Sequence, residues 1–421
     1  MRNLELNWPW VRDRLLVVFP PLCLAFYLVV WGHWVITFSS YDPHAGRPLG
    51  GDFSYCWSAA SLVLSGEPGA VYDSTRLAAV ESAHFGINAI LPWLYPPHYL
   101  LLLLPFGLLP YHASLAAWLC TTLMGYLVIV RRIAPHPRVI WFTLAFPGIF
   151  MNLFYGQNGF LSGIFLGGGL LLLDRSPWGA GLLLALLTYK PHLAVLVPVA
   201  LVAGRRWQAL LAMLAWTAAL VLATTLALGT QVWIAFVSHI FMAMKTLEAG
   251  GLNIFLVMTS VFPAVLLSGG GLVSARLLQG AAMLLAAILV IWVWRREAAP
   301  PIRNATLVLG ILLFIPYGYV YDLALLALPL AWLGWEGYTR GWLPGEKTCL
   351  FLGWLTPVVS PLLAQAASVQ ITPLILGVLL GVALRRGALG SPSAYPERAP
   401  GVSRDLLSDH PPGFLGTKES P

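Results

Sequence analysis

Five short polar motifs stand out in this chain because each lies between apolar segments. They are GDFSYCWSAA (51–60), LYPPHYL (94–100), YGQNG (155–159), TYKPH (188–192) and YGYVYD (317–322). Among them they hold two aspartates, a lysine, two histidines, a glutamine and an asparagine. These side chains can move a proton, bind an anion or form hydrogen bonds with hydroxyl groups. The motifs therefore indicate acid–base or anion-binding chemistry in an apolar setting.

Asp52 directly precedes four serines at helical spacing, Ser54, Ser58, Ser61 and Ser65. With Gly66 behind it, this pattern predicts a short amphipathic helix lying along the membrane surface. One interpretation makes Asp52 the N-cap of that helix. The other makes it a general base that takes a proton from an acceptor hydroxyl. Asp42 and Asp73 lie in the same loop and compete for that role.

Lys190 lies between two apolar runs and is followed by Pro191, which breaks a helix, and by His192. A charged side chain at membrane depth is costly unless it is paired or hydrated, so it marks a candidate site. A lysine and a histidine at a broken helix would suit a phosphate. The alternative is a lysine that extends its ammonium to the membrane interface.

The other polar side chains of the motifs are candidates for substrate binding. Gln157 and Asn158 either form a turn with their flanking glycines or form hydrogen bonds with sugar hydroxyls. Asp322 either caps the helix that it begins or contacts the substrate. Tyr95 and His98 flank two prolines typical of a helix start, and both side chains could face a substrate.

The composition predicts that helices in a membrane hold these motifs. Hydrophobic residues make up 58% of the 421 residues, charged residues only 10%, and mean hydropathy is +0.78. A soluble domain usually carries roughly a quarter charged residues. The ranges 15–41 and 139–173 contain no charged side chain, which is typical of membrane-spanning helices. We therefore predict an all-α, polytopic integral membrane protein.

The net charge of +7 reflects topology rather than nucleic acid binding, because the cations cluster between apolar segments. The main clusters are Arg131-Arg132, Arg205-Arg206, Arg295-Arg296 and Arg385-Arg386. Taking them as cytoplasmic gives roughly 10–13 spanning or re-entrant helices with both termini cytoplasmic. The motifs that hold Asp52, Gln157-Asn158, Lys190-His192 and Asp322 then all fall on the outer side. We predict a membrane domain over residues 1–386, a large first outer loop over 38–94 and a disordered cytoplasmic tail over 387–421.

Three segments, read in order, resemble glycosyltransferase family 87. They are GDFSYCWSAASLVLSGEPGAVYD (51–73), WLYPPHYLLLLLPFGLLPY (93–111) and the stretch from FYGQNGF to GRRW (154–207). The family comprises multi-spanning GT-C type enzymes described as polyprenyl-phosphate-mannose-dependent alpha-mannosyltransferases. The resemblance implies a GT-C helical bundle, a polyprenyl-phosphate-linked sugar donor and inversion at the anomeric carbon. The donor sugar and the acceptor do not carry over, because members of the family vary; our expectation is mannose and a lipid or glycan acceptor. It also implies a bacterial inner membrane protein whose active site faces the periplasm or exterior.

By position, Asp52 matches the aspartate of the family's first outer loop and is expected to be the base. Lys190 matches its lysine–proline motif and is expected to contact the donor phosphate together with His192. Gln157 and Asn158 match its GQNG motif. The resemblance implies neither a nucleotide nor a tightly held metal, although Asp42 and Asp52 could share a divalent cation.

Two other function classes compete with this interpretation. A transporter or lipid-linked sugar flippase also has broken helices and a buried lysine. It would carry an internal repeat, however, and the sequence shows none of fixed period. The other class is an inactive scaffold that binds a lipid-linked sugar without turnover.

Overall fold

A computed structural model of the protein describes residues 8–39, 48–86, 92–249, 252–296 and 298–389. Asp42, one of the competing acids, lies outside the described residues. So do residues 390–421, which are most of the predicted tail, whereas the last described helix continues to Leu389.

The described chain is built from α-helices. In chain order they are α1 (Trp8–Ser39), α2 (Phe53–Leu64), α3 (Ser74–Phe85), α4 (His98–Gly107), α5 (Tyr111–Ile133), α6 (Arg138–Leu144), α7 (Pro147–Tyr155), α8 (Gly159–Leu172), α9 (Pro177–Leu186), α10 (Pro191–Ala194), α11 (Leu196–Ala203), α12 (Trp207–Leu228), α13 (Gln231–Ala249), α14 (Leu252–Phe255), α15 (Val261–Leu267), α16 (Leu272–Arg295), α17 (Pro300–Phe314), α18 (Ala327–Arg340), α19 (Glu346–Ala367) and α20 (Thr372–Leu389). Three 3₁₀ segments join some of them: Pro68–Tyr72, Leu187–Tyr189 and Val320–Leu326. No strand occurs over the described ranges, so the predicted all-α class is confirmed.

Among the described residues, four helices, α5, α12, α16 and α19, are long and apolar enough to cross a membrane. A fifth span results if α6 and α7 are taken together, although they are bent by 52° at their break. Pro147 begins α7 and explains the break, because proline lacks the N–H that would continue α6. The chain is thus a polytopic helical membrane protein. Eight further apolar helical stretches in the described ranges have 10–17 residues, so the count of roughly 10–13 stays a prediction.

The first loop folds onto the bundle as a layer in which α2 packs against α3 and α4. Asp52 precedes α2, and Gly66 follows it with a φ of 87°, as the serine pattern predicted. Eight of the twelve residues of α2 are buried, including Ser54 and Ser58. The two serines nearest the start of α2 therefore pack inside the protein.

Glycines let α8 approach its neighbours closely. A Cβ on Gly163 would lie 2.3 Å from the ring of Tyr126 in α5, and one on Gly167 would lie 2.7 Å from Ile129. The contacts advance together along both helices, so α5 and α8 run parallel. Their C-terminal ends, including Arg131-Arg132, therefore lie at the same end of the bundle.

The arginine clusters Arg131-Arg132, Arg205-Arg206, Arg295-Arg296 and Arg385-Arg386 lie at the opposite end of the bundle from the polar motifs. At one end, Asp174 after α8 forms ion pairs with Arg206, at 2.9 Å, and with Arg303. Lys190 is separated from Arg205 by α10 and α11, which extend roughly 20 Å at 1.5 Å per residue. We call these the arginine end and the motif end. Which end faces the cytoplasm stays a prediction.

Candidate active site

The backbone before α2 places Asp52 against the turn that joins α7 and α8. Gly50 and Gly51 have φ values of 84° and 46°, which residues with side chains rarely adopt. The Asp52 N–H donates a hydrogen bond to the Tyr155 carbonyl oxygen at 3.0 Å. A Cβ on Gly156 would lie only 2.1 Å from the Gly50 carbonyl oxygen. The two loops therefore touch through backbone that only glycine permits.

The Asp52 carboxylate is directed to the same turn. It forms no capping hydrogen bond with α2, and its Oδ2 accepts a hydrogen bond from Gln157 Nε2 at 2.6 Å. Asp52 is half-buried. Asp73 acts as a cap instead, because its carboxylate accepts hydrogen bonds from the Thr75 and Arg76 backbone N–H groups at the start of α3. Asp73 is thus a helix cap, whereas the Asp52 carboxylate contacts the YGQNG turn.

Asn152 of α7 holds the YGQNG turn, and the sequence analysis missed it. Its Nδ2 donates to the Gln157 carbonyl oxygen at 2.9 Å, and its Oδ1 accepts from the Gly159 N–H at 2.8 Å. Because Asn152 satisfies the turn backbone, the side chains of Gln157 and Asn158 reach other elements. The available signal was an asparagine inside the charge-free apolar run 139–173.

Asn158 joins three of the motifs through hydrogen bonds with tyrosines. Its Nδ2 donates to the hydroxyls of Tyr95, at 3.0 Å, and Tyr99, at 3.2 Å. The Tyr189 hydroxyl donates to the Asn158 carbonyl oxygen at 3.0 Å. The Tyr99 ring lies 4.7 Å from that of Tyr95 and 4.6 Å from that of Tyr189, centroid to centroid. We call these three residues the tyrosine cluster.

Lys190 and Asp322 form a buried ion pair. Lys190 Nζ lies 2.7 Å from Asp322 Oδ1, and each side chain is 3% exposed. The other carboxylate oxygen, Oδ2, accepts a hydrogen bond from the Tyr319 N–H at 3.1 Å, which caps the following 3₁₀ segment. Lys190 is therefore not an interfacial lysine, and Asp322 both caps a helix and pairs with a cation.

The two predicted histidines differ in their surroundings. His98 is buried, and its Nε2 lies 3.2 Å from the Thr188 hydroxyl, while its Nδ1 has no partner within the described chain. His192 is exposed at the start of α10 and forms no hydrogen bond with a described residue. The structure therefore links Asp52, Gln157 and Asn158 into one region, but it does not tie His192 to it by a hydrogen bond.

Glu81 is a second buried carboxylate near Asp52 that was not predicted as a site residue. It is 3% exposed, and its Oε1 accepts a hydrogen bond from Ser54 Oγ at 3.1 Å. It lies four residues after the buried Leu77 on α3, and this helical spacing was the signal for an inward position. Nearby, burial raises the pKa of the Cys56 thiol to about 12. Cys56 is thus protonated at neutral pH and is not a thiolate nucleophile.

No metal centre was predicted, and three or more histidine, cysteine, aspartate or glutamate residues do not come together as metal ligands in the described ranges. Asp42, which could share a cation with Asp52, lies outside those ranges. The possibility of a shared cation therefore stays untested.

The protein is a polytopic membrane protein with a polar site at one end of its helical bundle. That site contains a half-buried carboxylate, two carboxamides and a paired lysine. The family model of glycosyltransferase family 87 matches residues 93–316, which is more than half of the chain. The chain therefore belongs to glycosyltransferase family 87, as its motifs predicted. It is a membrane glycosyltransferase, and its substrates are accordingly a sugar donor and an acceptor.

The matched range contains the LYPPHYL, YGQNG and TYKPH motifs, whereas Asp52 and Asp322 lie outside it. No curated protein and no solved structure matches the chain. The roles of individual residues therefore rest on the geometry described above.

Proposed function

We propose that the protein transfers mannose from a polyprenyl-phosphate donor to a lipid or glycan acceptor, with Asp52 as the general base. The observation that carries this proposal is the Asp52 carboxylate, which is half-buried, does not cap α2 and is oriented by Gln157. A carboxylate held in this way can accept a proton from a hydroxyl group that is positioned beside it.

In the proposed step, the acceptor oxygen attacks the anomeric carbon while its proton passes to Asp52. The bond between the anomeric carbon and the phosphate oxygen breaks, and polyprenyl phosphate leaves with the bonding electron pair. A single displacement of this kind inverts the anomeric configuration. The leaving group is a stable anion, so the step needs no further reactant.

Lys190 is the proposed partner of the donor phosphate. An ammonium group has three N–H donors, and the contact with Asp322 uses one of them. Asp322 thereby positions Lys190 and offsets the cost of its burial. His192, two residues further on the same broken helix, is the proposed second donor to the phosphate.

The sugar is proposed to lie beside the tyrosine cluster. Asn158 Oδ1 and His98 Nδ1 are buried, and neither has a hydrogen-bond partner within the described chain. Buried polar atoms without partners are uncommon, and sugar hydroxyls would supply both. Tyr95 is half-buried and completes the proposed subsite together with Gln157.

The proposal also assigns an orientation. The motif end faces the periplasm or exterior of a bacterial inner membrane, where lipid-linked sugars and their acceptors meet. The arginine end faces the cytoplasm together with both termini, in line with the usual distribution of cations around spanning segments.

The test is transfer of radiolabelled mannose from polyprenyl-phosphate-mannose in membranes that hold wild type, Asp52→Asn or Asp73→Asn at matched protein levels. We expect Asp52→Asn to reduce transfer by about a hundredfold or more, because the base is lost. Asp73→Asn is the matched control, since it removes the same charge from the same loop. It is expected to cost at most about 1 kcal/mol of stability through the cap and to leave transfer intact.

Equal transfer by Asp52→Asn and wild type would remove Asp52 from the mechanism. Loss in Asp73→Asn alone would move the base to Asp73. Donor binding by the wild type without turnover would identify the scaffold. Movement of the intact lipid-linked sugar across the membrane, without transfer, would identify the flippase.

A further inference from the structure

An open groove with a volume of about 580 Å³ lies at the arginine end, between α11 and α16. Val199, Val202 and Ile291 contribute to its apolar wall, and Arg205 and Arg295 contribute guanidinium groups to its lining. The groove lies roughly 20 Å along α10 and α11 from Lys190, so it is separate from the candidate active site.

Close backbone packing brings the two arginines to one groove. A Cβ on Gly204, at the end of α11, would lie 2.8 Å from the Trp294 ring near the end of α16. Arg205 follows Gly204 and Arg295 follows Trp294, so this approach places both arginines beside the same opening.

The backbone at Arg205 is left-handed where α11 ends. Arg205 has a φ of 54°, and the Arg206 N–H donates to the Leu201 carbonyl oxygen at 2.8 Å, which ends α11. Glycine is the usual residue at this position of such an ending. An arginine held there, in a conformation that favours glycine, is a local strain of the kind found at binding sites.

The charges at the arginine end are unevenly compensated. Asp174 forms ion pairs with both Arg206 and Arg303. Arg205 and Arg295 are exposed, and neither has an ion pair or side-chain hydrogen bond with any residue that the structure describes. Two uncompensated guanidinium groups beside an apolar wall match a ligand with an anionic group and a hydrocarbon chain.

We propose that this groove binds an anionic diacyl phospholipid of the surrounding bilayer. Its phosphate lies between Arg205 and Arg295, because guanidinium groups form paired hydrogen bonds with phosphate oxygens. An acyl chain lies against Val202 and Ile291. Trp207 lines the same groove and is exposed, as expected for a tryptophan at the level of the lipid headgroups.

The test is native mass spectrometry of the purified full chain in detergent, titrated with phosphatidylglycerol or phosphatidylcholine of the same acyl chains. We expect one phosphatidylglycerol to bind about tenfold more tightly than phosphatidylcholine, and the Arg205→Asn/Arg295→Gln variant to lose this preference. Asparagine is chosen at position 205 because it tolerates a positive φ.

The matched control is Arg132→Gln/Arg175→Gln, which removes two exposed arginines at the same end outside the groove. This control variant is expected to keep the preference for phosphatidylglycerol over phosphatidylcholine. Val202→Trp keeps both arginines but fills the groove, and this variant is expected to lose the tight binding of phosphatidylglycerol. Unchanged binding in the groove variants, or an equal loss in the control, would overturn the proposal.

A second measurement, of tryptophan fluorescence, leaves Arg205 and Arg295 unchanged. Phosphatidylglycerol with brominated chains is expected to quench the Trp207 contribution to fluorescence, measured as the difference between wild type and Trp207→Phe. Brominated phosphatidylcholine is expected to quench it less at the same concentration. Equal quenching by the two lipids would show general bilayer contact and would contradict a specific site.

Discussion

At the scale of residues, the buried pair of Lys190 and Asp322 links motifs that are 132 positions apart. Transfer of either charge from water into the bundle costs several kcal/mol, and the 2.7 Å contact offsets that cost only while both partners are present. The Tyr319 N–H satisfies a second oxygen of the carboxylate. The pair should therefore be sensitive to loss of one charge and tolerant of the loss of both.

We expect Lys190→Met to lower the free energy of unfolding by about 3–5 kcal/mol, because it leaves Asp322 buried and unpaired. Lys190→Met/Asp322→Asn is expected to recover most of that loss, since no charge remains and asparagine can still accept from the Tyr319 N–H. Thermal unfolding of the purified variants in detergent measures both effects.

Mannose transfer by the same two variants separates structure from mechanism. Both are expected to be inactive if Lys190 contacts the donor phosphate, even though the double variant is stable. Transfer regained by the double variant would mean that the pair serves only to stabilise the fold.

At the scale of elements, the turn between α7 and α8 controls the position of Asp52. Gly156 ends α7 with a φ of 62° and sits against the carbonyl of Gly50. The Asp52 N–H bonds to the last residue of α7, and its carboxylate bonds to Gln157 just after it. Displacing this turn therefore displaces the proposed base.

We expect Gly156→Ala to destabilise the protein and to reduce transfer, because its Cβ would lie 2.1 Å from the Gly50 carbonyl oxygen. Gly66→Ala is the matched control, since Gly66 has a φ of 87° but open space around it. It should cost only about 1–2 kcal/mol of backbone strain and leave transfer per folded molecule unchanged. Equal loss of transfer in both variants would contradict the assignment of this turn to the site.

At the scale of the whole molecule, the bundle separates two chemistries. The motif end holds the carboxylates, carboxamides and tyrosine cluster, and the arginine end holds cations that Asp174 compensates only in part. Because spanning helices connect the two ends, their chemistry can be tested from opposite sides of the membrane.

Cysteine labelling in intact cells checks the orientation. Thr75→Cys lies on the exposed start of α3 in the first loop, and Arg175→Cys lies exposed at the arginine end. A membrane-impermeant maleimide is expected to label position 75 in intact cells and position 175 only after permeabilisation. The parent protein, whose exposed Cys120 sets the background, is measured in parallel. The reverse pattern would invert the proposed topology.

The class of the protein and the places of its motifs follow from the amino-acid sequence alone. Charge-free apolar runs are stable in lipid only as structures that satisfy their own backbone, and a helix does so within each segment. Short-range signals also located individual ends, such as Gly66 after α2 and Pro191 at the start of α10. The order and spacing of the motifs were enough to predict the family.

Which side chains meet depends on the tertiary structure. A capping aspartate and one bonded to a distant carboxamide have the same local sequence signal, so only the family resemblance favoured Asp52 over Asp73 before the structure was known. Lys190 and Asp322, or Asp52 and Gln157, are brought together by the packing of whole helices, across 132 and 105 positions of chain. Such contacts depend on helix directions and on close glycine approaches, which are properties of the assembled bundle and of no single segment.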